Sequence, residues 1–272
     1  MIRALFLVLL TLMPLARGSQ DGPTADTVNS AIDKGVSFLV HMQESDGSWR
    51  SDYFYFPGDA PGGETALVVA ALIHSGLSVE HQAIRRGLAF VRQTQPVKYY
   101  EACTRLLMEN ALGAKADQDH IDTCTELILD GAGSGYWNYP EDQLDLSNTQ
   151  YALLGLWLAH QSGAKIKDKV FEKVLKIVAQ YQLGDGGWGY FGPLITSGPS
   201  IQLEEFKATA SMTTAGMATV LFAYDRLAEK KSQAKKFKKE TDGTIAQGMA
   251  WLDKHMSYTE NTDLNDKKGA DW

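Results

Sequence analysis

Apolar residues recur at intervals of three and four along most of the chain, which is the spacing of one face of an α-helix. This amphipathic pattern covers residues 31–39, 83–91, 170–177 and 244–252. A second set of segments is apolar nearly all round and covers residues 64–74, 100–112, 148–160 and 210–227. Since a helix without a polar face is buried on most sides, we expect the second set inside and the amphipathic set outside. No segment alternates as a β-strand does, so the pattern predicts an all-α fold.

The turns between paired helices also repeat. The sequence QESDGSW at residues 43–49 returns as QLGDGGW at residues 182–188, with Gln, Asp, Gly and Trp at the same spacing. Repetition of turn and flanking helices predicts stacked helical hairpins in one domain from about residue 24 to residue 272. The expected repeats are residues 28–76, 81–113, 119–163, 168–228 and an incomplete 244–272.

Each residue type in this turn has a structural task. Glycine allows a sharp change of direction, and an indole can cover a helix end. A glutamine amide can satisfy free backbone groups, and an aspartate can accept from turn amides. We therefore assign a structural role to Gln43, Gly47, Trp49, Gln95, Gln182, Gly186 and Trp188. The alternative role for Trp49 or Trp188 is stacking on a ligand.

The order KG-x2-FL-x3-Q-x3-G-x-W at residues 34–49 resembles the QW repeat of squalene and oxidosqualene cyclases. Residues 86–95 resemble its first half, and residues 182–188 its second half. The resemblance implies the α/α toroid that terpene cyclases share with protein prenyltransferase β subunits, in which outer helices surround inner ones in two concentric layers. Four and a half hairpins would leave that ring incompletely closed. A protein partner that supplies the missing helix and a truncated gene product are both open explanations.

The resemblance does not carry the family's catalytic acids. Cyclases of this kind have an Asp-x-Asp-Asp-Thr-Ala motif before an inner helix, whereas residues 145–150 read DLSNTQ. Asp145 matches the first acid, but Ser147 stands in place of the proton donor and Asn148 in place of its neighbour. A serine hydroxyl is far too weak an acid for that step, so the sequence leaves enzymatic activity open. If the chain is an enzyme, Asp145 is the expected catalytic residue. The zinc pattern of the prenyltransferases is missing too, so we expect no metal or cofactor.

Turns that precede inner helices should meet at the mouth of the ring, where aromatic and acidic side chains could hold a ligand. The candidate ligand contacts are Glu64, Tyr136, Trp137, Asn148 and Tyr190. The expected ligand is an apolar small molecule or a peptide. The alternative is that these residues only pack loops and cap helices, as Asp145 and Asn148 could do for the third inner helix.

Charge and the chain start bear on location and partners. Residues 1–18 combine a basic start, a short apolar run and small residues near Gly18, which predicts a secretory signal peptide and a secreted or periplasmic protein. An uncleaved anchor is the alternative. The net charge of −7 argues against nucleic acid. The lysine-rich residues 229–241 are expected to be a solvated helix end and linker, or else a patch for anionic lipid or polyanion. Cys103 and Cys124 could pair after export or remain buried thiols.

Two function classes follow. The first is a secreted, non-catalytic binding or scaffold protein built on a cyclase-like toroid, because the scaffold motif is present and the acids are not. The second is a divergent terpene cyclase-like enzyme that acts on an isoprenoid or other apolar substrate.

Overall fold

The computed structural model describes residues 22–50, 62–138, 144–191 and 207–257, and within these ranges the chain is helical without a β-strand. The helices are α1 (Ala25–His41), α2 (Gly62–His74), α3 (Gln82–Arg92), α4 (Tyr99–Leu112), α5 (Gln118–Asp130), α6 (Leu146–Gln161), α7 (Asp168–Gln180), α8 (Ala210–Ala228) and α9 (Lys231–His255). The prediction of an all-α fold is therefore confirmed for the described ranges.

The chain divides into two compact units, Met1–Phe38 and Leu39–Trp272. The first unit contains most of α1, an amphipathic helix with Asp26 in its first turn. The second unit contains all the other helices and the hydrophobic core.

Helices of the second unit alternate between two sets. The apolar helices pack in series, α2 on α4, α4 on α6 and α6 on α8. The amphipathic helices pack against this series: α3 on α2, α5 on α4 and α6, and α7 and α9 on α8. The apolar set forms the centre of this unit because its side chains are buried on several faces, as in α6. The described residues therefore have a helical, repeat-like architecture.

The apolar helices begin and end close to their predicted limits because specific residues stop them. Asp145 caps the start of α6, where its Oδ1 accepts from the Asn148 N–H at 2.9 Å. Just beyond the end of α6, Gly163 has φ +97°, a left-handed conformation that favours glycine.

The lysine-rich segment differs from the prediction, because it is not a linker. Residues 231–241 form the first half of α9, which continues without a break to His255. The buried positions Phe237, Thr241, Thr244, Gly248 and Trp251 follow a helical spacing of three and four. Phe237 is fully buried, with the ammonium groups of Lys176 and Lys236 over its ring. One large apolar residue among lysines was too weak a signal for a helix.

Several predictions fall on residues outside the described ranges. These are the signal peptide at residues 1–18 and the last part of the incomplete repeat, residues 258–272. Among the helices of the described ranges, none has the length and apolarity needed to span a bilayer.

Candidate functional site

The two turns at residues 43–49 and 182–188, here called the Trp turns, make the same contacts. Gln43 Nε2 donates to the carbonyls of Gly47 and Ala83, both at 2.9 Å. Gln182 Nε2 donates to the carbonyls of Gly186 at 2.8 Å and Thr244 at 2.9 Å. Ala83 lies in α3 and Thr244 in α9. Each glutamine therefore closes its own turn and ties it to a later amphipathic helix.

The glycine of each Trp turn lies against the backbone of that same helix. Gly47 has φ +93° and Gly186 has φ +96°. A methyl group on Gly47 would lie 2.6 Å from the carbonyl oxygen of Arg86, and one on Gly186 would lie 2.7 Å from that of Gln247. Asp46 and Asp185 each accept from a backbone N–H two residues on, at 3.0 Å. Glycine is required here both for its conformation and for the close approach.

The indoles are buried and hydrogen-bonded to the ends of the preceding helices. Trp49 Nε1 donates to the Leu39 carbonyl at 2.7 Å, and Trp188 Nε1 to the Val178 carbonyl at 2.9 Å. Trp49 is 5% exposed and Trp188 is 1% exposed. A ligand could not reach these rings without opening the turn, so the contacts favour the structural role over stacking.

Trp137 was predicted as a ligand contact, but it occupies the same place in its turn as Trp49 and Trp188 do in theirs. It is 1% exposed, and its Nε1 donates to the Ile128 carbonyl at 2.8 Å. The preceding Gly135 has φ +84°, as the Trp turns do at their glycines. Residues 135–137 are therefore a third, shorter turn of this kind. It was misassigned because it lacks the Gln and Asp that mark the other two.

A threonine that the sequence reasoning missed completes all three turns. The backbone N–H groups of the three tryptophans each donate at 3.1 Å to a threonine hydroxyl at or near the start of the next apolar helix. The pairs are Trp49 with Thr65, Trp137 with Thr149 and Trp188 with Thr213. The presence of a threonine within the first turns of these apolar helices could have indicated this contact.

The turn after α3 departs from this plan. Gln95 is exposed and makes no hydrogen bond to another residue in the part of the chain that the structure describes. Instead Arg105, fully buried in α4, donates to the carbonyls of Val91 at 2.9 Å and Thr94 at 2.6 Å. Its Nη2 also lies 2.6 Å from Oε1 of Glu101, which is 6% exposed. The spacing of four residues between Glu101 and Arg105 in a largely apolar helix could have indicated this pair.

A second set of charged residues, centred on Glu109, lies beside the Glu101–Arg105 ion pair. Glu109, buried in α4, pairs with Arg92 at 3.0 Å and accepts from His120 Nδ1 at 2.8 Å. Burial by itself would raise the pKa of Glu109, but hydrogen bonds from His120, Arg92 and the Asp117 N–H together hold the pKa below its ordinary value. The carboxylate is therefore charged at neutral pH and joins α3, α4 and α5.

The start of α6 brings together three of the predicted site residues. Asp145 is 2% exposed, and Asn148 donates to it from both its N–H at 2.9 Å and its Nδ2 at 3.0 Å. Residues 190–191 run past this point, where the Leu146 N–H donates to the Tyr190 carbonyl at 3.1 Å. Burial raises the pKa of Asp145, and hydrogen bonds from Asn148, Ser147 and Tyr190 oppose that rise without cancelling it.

Two pairs of aromatic residues lie near this end of α6, and one of them, Tyr190, is hydrogen-bonded to Asp145. Tyr190 and Phe191 are 40% and 44% exposed and meet edge to face, with ring centroids 4.7 Å apart. Tyr100 and Tyr151, both half-buried, stack at 3.9 Å. Burial also raises the pKa of Tyr100, whose hydroxyl is hydrogen-bonded to the hydroxyl of Ser147. We call Tyr100, Tyr151, Tyr190 and Phe191 the aromatic patch.

The other two predicted ligand contacts are Glu64 and Tyr136, and neither has a recorded contact with Asp145. Glu64 is in the first turn of α2, and Tyr136 is half-buried against the hydrophobic core. Sequence reasoning missed Tyr100 and Tyr151, because nothing in their own segments marks them as neighbours of Asp145.

Cys103 and Cys124 are free, buried thiols rather than a disulfide, and burial raises the pKa of both, that of Cys124 to about 12. Among the described residues, no group of three or more His, Cys, Asp or Glu side chains is arranged to hold a metal ion.

Neither a family model nor a curated protein sequence matches this chain.

Proposed function

We propose that the chain is a secreted, non-catalytic binding or scaffold protein of the α/α-toroid type, which holds a ligand with an apolar body on the aromatic patch. The observation that carries this proposal is the state of Asp145. Asp145 is the one acid retained from the cyclase motif, and it caps α6 with both carboxylate oxygens engaged by Asn148. A carboxyl group that accepts at both oxygens is held as a helix cap, whereas a proton donor must present its O–H to a substrate.

The neighbours of Asp145 support the same interpretation. A cyclase acid depends on an adjacent carboxylate that keeps it protonated. Here the groups that donate to Asp145 are amides and a hydroxyl, from Asn148, Ser147 and Tyr190. These donors lower the pKa, whereas an adjacent carboxylate would raise it.

The aromatic patch supplies what a binding surface needs. Tyr190 and Phe191 present exposed rings, and the half-buried Tyr100 and Tyr151 add hydroxyl groups. Aromatic rings that combine apolar area with a polar end are typical of recognition sites. The proposed ligand is therefore an apolar small molecule or an apolar peptide side chain with at most a few polar groups.

The second candidate, a divergent terpene cyclase-like enzyme, rests on one specific observation. Burial raises the pKa of Asp145, which is the direction that a proton donor requires. In that case the same patch would hold an isoprenoid substrate, with Asp145 as its acid.

Farnesol, a short isoprenoid alcohol, separates the two candidates. We expect it to bind, to be recovered unchanged, and to bind the Asp145→Asn variant equally well, because asparagine keeps the cap. Tyr190→Ala should weaken binding by about tenfold through loss of ring contact. Met249→Ala, at an exposed residue of α9, is the matched control and should change nothing. Conversion of farnesol that disappears in Asp145→Asn would establish the enzyme instead, and farnesol that does not bind would refute the proposal.

A further inference from the structure

A separate cleft of about 560 Å³ lies where α6 ends and α7 begins. Its charged lining consists of Lys165, Lys167, Arg226 and Lys230 against a single acid, Asp168. Four positive charges and one negative charge face this space, although the whole chain carries a net charge of −7. Such a local excess of positive charge favours an anionic ligand.

Arg226 is the buried charged residue of this cleft. It is 7% exposed, and its Nη2 donates to Asp168 Oδ1 at 2.9 Å. Its Nη1 lies 3.2 Å from Glu229 Oε2, close enough for charge attraction, yet neither Nη1 nor Nε has a hydrogen-bond partner in the described ranges. Buried donors are nearly always paired in proteins, so the guanidinium of Arg226, a lining residue of the cleft, is short of acceptors.

Two of the three lysines in the lining have no acidic partner among the described residues. Lys165 and Lys167 are exposed and form no ion pair with a described residue. Lys230 is hydrogen-bonded to Asp168, and this bond, followed by the charges of Arg226 and Lys230, holds the pKa of Asp168 below its ordinary value. Asp168 is therefore already a charged carboxylate, and it balances only part of the positive charge around it.

The start of α7 adds backbone donors. Lys167 is the N-cap of this 13-residue helix and makes no side-chain cap hydrogen bond. In the first turn the Val170 N–H already donates to the Lys167 carbonyl at 3.0 Å. The other first N–H groups of a helix have no partner within the helix, and together with the helix dipole they attract anions. The helix start, the buried Arg226 and the two unpaired lysines all border the same space.

We propose that this cleft binds a doubly charged tetrahedral oxyanion, phosphate or sulfate, either free or as a group of a larger molecule. Lys165, Lys167 and Lys230 neutralise its charge, and the buried guanidinium of Arg226 in the lining adds a fourth positive charge. This inference does not depend on the proposed function, because it uses none of the residues of the aromatic patch.

Isothermal titration calorimetry of the full chain tests the proposal. The probes are inorganic phosphate, inorganic sulfate and phenyl phosphate, each at an ionic strength held constant with chloride. We expect saturable binding at one site. The Lys165→Gln/Lys167→Gln double variant should weaken it by about tenfold, since each exposed charge contributes modestly. Tighter binding of phenyl phosphate would identify an esterified ligand, and equal binding a free anion.

Lys235→Gln/Lys239→Gln is the matched control. Both are exposed lysines of α9 outside this cleft, and neither forms an ion pair with a residue in the described ranges. The control should keep wild-type affinity, and thermal unfolding should show that both double variants remain folded. Absence of saturable binding, or an equal loss of affinity in the two double variants, would overturn the proposal.

Discussion

The contact between a Trp turn and the next amphipathic helix can be tested by adding one methyl group. In Gly186→Ala the new methyl would lie 2.7 Å from the carbonyl oxygen of Gln247 in α9, and φ is +96°. Gly163→Ala is the matched control, since its φ is +97° but nothing lies within 4 Å of the added methyl. The two variants share the backbone strain and differ in the contact with a neighbouring helix.

The expected losses of stability follow from these geometries. An alanine in a left-handed conformation costs about 1–2 kcal/mol, and Gly163→Ala should lose this amount. Gly186→Ala should lose the same amount and about 1–3 kcal/mol more, because a backbone carbonyl cannot move aside cheaply. Urea unfolding, followed by tryptophan fluorescence, gives the free energy of unfolding for both variants. Equal losses would show that the Trp turn is not held against α9 and would refute the structural interpretation.

Three further predictions concern buried ionisable groups. Asp145→Asn should keep the cap of α6 and gain stability relative to wild type as the pH rises, because an acid with a raised pKa stabilises the fold only while protonated. Asp145→Ala should lose the cap and about 1 kcal/mol of unfolding free energy. Urea unfolding at a series of pH values compares both variants with wild type. Because Glu109 has a lowered pKa, the wild-type protein should lose stability as acid protonates this carboxylate. Glu109→Gln should be about 1–3 kcal/mol less stable than wild type at neutral pH and should lack the acid-dependent loss. Thermal melts between pH 3 and 7 measure both effects. Cys103 and Cys124 should react with a thiol reagent only in denaturant, and rapid labelling of the native chain would contradict their burial.

The sequence predicted the helices well because their apolar spacing extends over several turns. The limits of α2, α4, α6 and α8 differ from the predicted limits by no more than two residues. The Trp turns were also predictable, since glycine, aspartate and glutamine each have a local task that residue type alone suggests.

The sequence was a poor guide wherever a contact joins distant segments. Arg105 lies in α4 but completes the turn after α3, and Tyr190 reaches Asp145 from the turn after α7. Trp137 was misassigned because its neighbours lack the usual motif. Periodicity reports which face of a helix is buried, but it does not report which distant polar group meets another, so the aromatic patch emerged only from the fold.

Native mass spectrometry of the wild-type chain, purified from the medium of an exporting host, tests the central claim most directly. The account predicts a species heavier than the chain by one apolar small molecule, and the Tyr190→Ala variant should lose that added mass. A bare mass for the wild-type chain, or an added mass that survives in Tyr190→Ala, would contradict a binding function of the aromatic patch.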